Sequence, residues 1–214
     1  ASISVDGNMI VSGITTFTPG GSEIVRINSG GLLVYNDVSF FGASTNAYWD
    51  KSANQFLLND NTKLSVGSGS DLQIYHNGSN SFIKDSGTGS LIVNSNRFQV
   101  SNAADDESMI NAVENGSVEL YYDNVRKFRT VSDGVEVNAA EGGSANLALI
   151  ADEGDDNADY WRLSGSTDGS LYLQNYTSGS WEFNLKATGN GAVELYHDNS
   201  KKFETTSDGA TLTG

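Results

Sequence analysis

Residues 110–137 read INAVENGSVELYYDNVRKFRTVSDGVEV, and residues 185–212 read LKATGNGAVELYHDNSKKFETTSDGATL. The offset is 75 residues, there is no gap, and 15 of 28 positions are identical. Among the identities are Glu119/Glu194, Leu120/Leu195, Tyr121/Tyr196, Asp123/Asp198, Asn124/Asn199, Phe128/Phe203 and Thr130/Thr205. Apolar and polar residues alternate within each copy, the period at which successive side chains leave opposite faces of a strand. Residues 118–122 read as one strand, Asp123-Asn124 as a turn and 127–130 as a second strand. Ser132-Asp133-Gly134 follows as a second turn, and 135–137 as a third strand. Asn, Asp and Gly tolerate the positive φ that tight hairpin turns demand.

The length of the first turn decides which side chains share a face. A two-residue loop puts Phe128 with Glu119 and Tyr121. A three-residue loop pairs Leu120 with Phe128 and Val118 with Thr130, which gives one consistently apolar face. A slip of one residue sends every side chain to the other face, so the apolar face favours the three-residue loop. A third, weaker copy runs through 72–93, LQIYHNGSNSFIKDSGTGSLIV. Its Tyr75 and Phe82 keep the seven-residue separation of Tyr121/Phe128, and Asn77-Gly78 stands where the others have Asp-Asn.

The rest of the chain follows the same grammar. Short runs of Val, Ile, Leu, Tyr and Phe are bounded by Asn-Gly, Asp-Gly, Gly-Ser and Gly-Gly. These are strand and hairpin signals. No stretch sustains helical periodicity. The best candidate, 103–113, is interrupted by Asp105, Asp106 and Glu107. The fold class expected is all-β, built of short-stranded hairpin and meander repeats. A unit of about 25 residues buries too little apolar surface to stand alone. It must stack on its neighbours, on other chains, or on both. Different sequence between the copies argues against a uniform solenoid. Related modules in an elongated, intertwined homotrimer fit better.

Four segments are expected. Residues 1–45 form an N-terminal β segment of open role. Residues 46–109 form a β module holding the weaker copy at 72–93. Residues 110–184 form a module holding the copy at 110–137. Residues 185–214 are a further copy, expected to continue beyond the sequence given. The chain begins at Ala1 rather than Met, as expected of a fragment or a processed piece.

Composition removes several classes. Over 214 residues the net charge is −15. Phosphate backbones and anionic membrane surfaces repel such a chain, so neither nucleic acid nor membrane insertion is expected. No run approaches the roughly 18 apolar residues of a membrane-spanning helix. There is no Cys and one Pro, so disulfides, thiolate metal sites and Cys nucleophiles are absent. Hydrophobic residues at 37% set it apart from a disordered chain.

Residues 71–89, DLQIYHNGSNSFIKDSGTG, resemble a segment common in tail-fibre proteins of tailed bacteriophages, especially marine and cyanobacterial phages. Residues 193–206, VELYHDNSKKFETT, resemble a second module of the same proteins. YWDKSAN at 48–54 and SGSWE at 178–182 are similar to further pieces. Together these cover most of 46–214, and 1–45 match less clearly. The motifs are specific as strings and mark an architecture rather than a chemistry. The resemblance implies a β-rich homotrimeric fibre on a virion, extracellular and positioned for host attachment. Its partners would be itself, other phage tail proteins and a host surface glycan or protein receptor. The family's receptor-binding tip and self-cleaving C-terminal chaperone have no visible counterpart here.

Candidate sites each meet a plainer explanation. The acidic run 152–159 offers oxygen ligands for Ca²⁺ but lacks the spacing of an EF-hand loop, and a solvated turn explains it. His76 and His197 share a repeat position where the middle copy has Tyr122. An axial metal is conceivable there, and an aromatic-sized strand residue suffices. Glu119/Asp123 and Glu194/Asp198 could be glycosidase carboxylates. Recurrence beside a turn points to turn chemistry instead. Gly67-Ser68-Gly69 and Gly87-Thr88-Gly89 precede no helix that would cradle a phosphate. Glycosylation sequons at Asn77, Asn115 and Asn175 are expected by chance in a chain this rich in Asn. Trp49, Trp161 and Trp181 could stack on sugars, and packing in the trimer is favoured over that.

The sequence therefore points to a structural attachment protein that is not an enzyme. No catalytic, cofactor-binding or metal-binding residue is assigned, and no cofactor is expected. One alternative is a polysaccharide-degrading tailspike on a parallel β-helix, with paired carboxylates in one groove. Another is a monomeric, Ca²⁺-stabilised extracellular adhesin that melts on chelation.

Overall fold

Ten of the twelve non-glycine residues with positive φ among the described ones are Asn or Asp. These residues end the strands, and the fold is a series of antiparallel meanders between them. The structure, a computed structural model, describes residues 25–28, 31–34 and 37–214. Much of the N-terminal segment expected over 1–45 lies outside the described residues. The chain divides into two units, Ala1–Ile92 and Val93–Gly214.

In the first unit β1 (Val25–Asn28) pairs with β2 (Gly31–Val34). A second sheet has β3 (Val38–Phe41), β4 (Asn46–Asp50) and β5 (Gln55–Leu58). A third has β6 (Leu64–Val66), β7 (Leu72–His76) and β8 (Ser81–Asp85). The loop after β5 ties these two together. Asn61 N–H donates to the His76 carbonyl at 2.7 Å, and Thr62 Oγ1 donates to Thr45 Oγ1 at 2.7 Å.

The second unit holds two larger sheets. One has five strands: β9 (Arg97–Ser101), β10 (Ser108–Val113), β11 (Val118–Tyr122), β12 (Val125–Val131) and β13 (Gly134–Val137). Part of the stretch 103–113 that offered the best helical pattern is therefore strand β10. The other has seven: β14 (Ala145–Ile150), β15 (Tyr160–Gly165), β16 (Ser170–Asn175), β17 (Glu182–Thr188), β18 (Val193–His197), β19 (Ser200–Thr206) and β20 (Gly209–Leu212). Two short 3-10 turns, Asp152–Gly154 and Asn157–Asp159, join β14 to β15. Each sheet runs in chain order and every pairing is antiparallel. The described residues are thus all-β, and they contain no parallel β-helix.

The loop between β11 and β12 corrects the expected three-residue turn. It is Asp123-Asn124, with φ 51° and 59° and Tyr122 opposite Val125. Both central residues have positive φ, as a type I′ turn requires. Leu120 nonetheless faces Phe128, because the register shifts between Leu120 and Tyr121 and leaves Lys127 as an extra residue. A β-bulge lets the short loop and the apolar pairing coexist. The second copy repeats this, with Asp198 and Asn199 in the turn, Leu195 opposite Phe203 and Lys202 extra.

The third copy departs from the alignment drawn on Tyr75 and Phe82. Its loop is four residues, Asn77 to Asn80, with His76 opposite Ser81 and no register shift. Tyr75 therefore faces Phe82 directly, the rings stacked at 4.8 Å. Ile74 and Ile83 are the pair that corresponds to Leu120 and Phe128.

Candidate functional site

No apolar residue is buried among the described ones; the four buried residues are Ser164, Ser170, Gln174 and Asn175. The apolar side chains are instead lined up in rows. Across the seven-stranded sheet Leu147, Leu163, Leu173, Leu185, Leu195, Phe203 and Leu212 stand opposite one another, one per strand. Leu147 is 48% exposed, Leu195 43% and Leu212 83%. The five-stranded sheet carries the matching row Val100, Ile110, Leu120, Phe128 and Val137. Leu64, Ile74 and Ile83 form a third row, and Val38, Trp49 and Phe56 a fourth. Fully burying an exposed side chain of this size contributes about 1.5–3 kcal/mol, and covering the half-buried members of these rows contributes a fraction of that. Contiguous exposed apolar patches are the surfaces at which partners, membranes or ligands bind or chains aggregate.

The opposite face of the two larger sheets has a different chemistry. Glu119 accepts hydrogen bonds from the Tyr121 hydroxyl at 2.7 Å, Asn111 Nδ2 at 3.0 Å and Arg126 at 3.2 Å. These donors, Tyr121 first, pull its carboxyl down to about 2. Glu194 is held the same way by Tyr196 at 2.7 Å and Lys201 at 3.0 Å, and its pKa is also lowered. Long side chains here cover one another. The Arg162 guanidinium lies 4.0 Å from the Trp181 ring centre and its Nε donates to Gln174. Amphipathic side chains of this kind can shield a sheet while staying wet at their tips.

The repeat identities have structural explanations. Thr130 Oγ1 accepts the Val118 amide at 2.9 Å, and Thr205 Oγ1 accepts the Val193 amide at 2.9 Å. Asn124 Oδ1 reaches the Ser108 amide, and Asn199 Oδ1 the Phe183 amide at 3.2 Å. Each bond recurs at the repeat offset, so Glu, Tyr, Asp, Asn and Thr recur to hold a hairpin.

The other residues singled out in the sequence are scattered. The capping box at Asp156 and Asp159 occupies part of the acidic run. Among the described residues no three His, Asp or Glu side chains are grouped as cation ligands. His76, Tyr122 and His197 each end a strand, and His76 Nδ1 lies 3.1 Å from Ser81 Oγ. Asp123 and Asp198 sit in the turns, while Glu119 and Glu194 are tied to tyrosines. A carboxyl pulled down to about 2 stays ionised at neutral pH and does not donate a proton as a general acid would. Gly67-Ser68-Gly69 lies in the loop before β7 and Gly87-Thr88-Gly89 follows β8; no helix succeeds either. Asn77 and Asn115 are in turns, whereas Asn175 is buried and bonded to Asn184 at 2.7 Å.

The three tryptophans separate. Trp49 and Trp161 lie on apolar faces, Trp161 in register with Leu149. Trp181 stands on the opposite face and shares a cleft with Tyr160 and Tyr176. Sequence reasoning missed both tyrosines: Tyr176 shares the β16–β17 loop with Trp181, and Tyr160 at the start of β15 joins them only through the strand pairing. No protein-family model, curated protein or solved structure matches this chain.

Proposed function

We propose that the chain is a segment of a homotrimeric tail fibre or spike of a tailed bacteriophage, a structural virion protein that serves host-cell attachment. The carrying observation is the set of in-register apolar rows, whose members the chain leaves half-buried or exposed and none of which it buries. Association of identical copies through these faces buries them and leaves the Glu-Tyr-Arg/Lys faces to solvent. The phage context rests on the likeness of residues 71–89 and 193–206 to fibre modules. A twofold sandwich would also cover the rows, so the threefold order rests on the same likeness.

The test is the mass of the eluting protein by light scattering, with and without EDTA. A mass three times 22.7 kDa supports the fibre. A mass twice that of the chain replaces the trimer with paired sheets, and a folded monomer overturns the assembly. Loss of structure in EDTA would favour the Ca²⁺-stabilised adhesin.

A further inference from the structure

We infer that the cleft lined by Tyr160, Tyr176 and Trp181 is a carbohydrate subsite that takes one neutral pyranose ring. Its aromatic walls are held in place by the fold. The Tyr160 hydroxyl donates to the Gly154 carbonyl at 2.6 Å, which fixes that ring against the 3-10 turn. The Tyr176 amide donates to the Tyr160 carbonyl at 3.0 Å. The Tyr176 and Trp181 rings lie 5.2 Å apart, and Tyr160 and Tyr176 6.3 Å. Arg162 backs the Trp181 ring. Walls fixed before binding cost little ordering entropy when a ligand arrives.

Size and chemistry narrow the occupant. The cleft holds about 260 Å³, less than the roughly 300–1,000 Å³ of sites for drug-sized ligands, which suits a single ring. Neither the Trp181 indole N–H nor the Tyr176 hydroxyl has a hydrogen-bond partner among the described residues. A purely apolar guest would cover these groups without satisfying them. A polyol offers C–H groups to the rings and hydroxyls to those tips. A cationic guest would meet the Arg162 charge already stacked on Trp181. An anionic guest would approach beside exposed Asp155 and Asp156 on a chain of net charge −15.

Tyr160 and Arg162 alternate along β15 with Leu163, a member of the apolar row. The cleft therefore lies on the face opposite that row. That it opens outward in the assembled protein rests on the proposed association through the apolar face.

The test is saturation-transfer NMR on the intact protein. The probes are methyl glycosides of glucose, galactose, mannose and N-acetylglucosamine, with choline and glucuronate as charged controls. Saturable binding of at least one neutral glycoside is expected. Trp181→Ala should weaken it about tenfold or more through lost stacking. Tyr176→Phe, which keeps the ring, should weaken it several-fold without changing the melting temperature. No saturable binding, binding indifferent to both variants, or preference for choline or glucuronate overturns the inference. Light scattering on the same samples separates the two proposals. A monomer that binds sugar sinks the fibre and leaves the subsite, and a trimer that binds none sinks the subsite alone.

Discussion

Thr130 Oγ1 accepts the amide N–H of Val118 across the β11–β12 pair at 2.9 Å, and Thr205 does the same for Val193. The hydroxyl provides an acceptor for a strand-end amide beyond the last paired residues of the hairpin. Thr130→Val keeps the shape and the β-branching while removing that acceptor. A net hydrogen bond contributes about 0.5–1.5 kcal/mol, and the variant should lose an amount in that range. Thr130→Ser should retain most of it. Denaturant midpoints compare the three proteins. The double variant with Thr205→Val should lose the sum of the two single effects, since the sites lie on different sheets.

Glu119 makes acid stability a readable property. Its carboxyl falls from 4.5 to about 2 in the folded chain, first through Tyr121, then Asn111 and Arg126. A carboxyl whose folded pKa is depressed contributes stability above its unfolded pKa and loses it as pH falls through the folded value. Melting temperature should therefore decline between about pH 4.5 and 2. Glu119→Gln should flatten this decline. Glu194 acts in the same direction. Tyr196 works at the other end: burial and Glu194 raise it from 10.0 to about 12. Its contribution holds below pH 10 and is lost as pH rises through about 12. Melting across both ranges, with Tyr196→Phe as the alkaline control, checks both signs.

The sequence made the turns legible because only a few residues accept positive φ. Asp123-Asn124 and Asp198-Asn199 were readable for that reason. The pairing of Leu120 with Phe128 followed from the demand for one apolar face. The bulge at Lys127 was not readable, since nothing in its side chain marks an extra residue, and loop length was inferred wrongly as a result. Tyr75 and Phe82 misled in the opposite way. Their spacing copied Tyr121 and Phe128, but a longer loop without a bulge put them face to face. The row continues through Leu147, Leu163 and Leu173, outside the repeat, where no identity points to it. The Tyr160–Tyr176–Trp181 cleft depends on loop contacts that local pattern does not encode.

The type I′ turn at Asn124 separates backbone strain from side-chain bonding. Asn124 has φ 59°, and its side chain also reaches the Ser108 amide and the Asp106 carbonyl. Asn124→Gly relieves the backbone and removes those bonds. Asn124→Ala keeps the strain and removes the bonds as well. The alanine variant should be less stable than the glycine variant by about 1 kcal/mol, the cost of placing a Cβ in the left-handed region. Thermal melts of both variants give this difference directly. If the two coincide, the turn does not hold positive φ at this position.

Leu195 offers two magnitudes that cannot both hold. In the single chain it is 43% exposed, so truncation would forfeit well under the ~1.5–3 kcal/mol of a fully buried side chain. If other copies cover its row, Leu195→Ala opens a cavity and costs about 2–5 kcal/mol per chain. Thr211, exposed and on the opposite face, is the control, and Thr211→Ala should change little. Association also makes the midpoint rise with protein concentration, because folding and assembly share one equilibrium. Leu195→Glu should go further and leave only the single-chain mass, since identical carboxylates would meet within the buried face. Chemical denaturation at several concentrations, paired with light scattering, reads all three variants. A small Leu195→Ala effect independent of concentration would mean that its row stays in solvent.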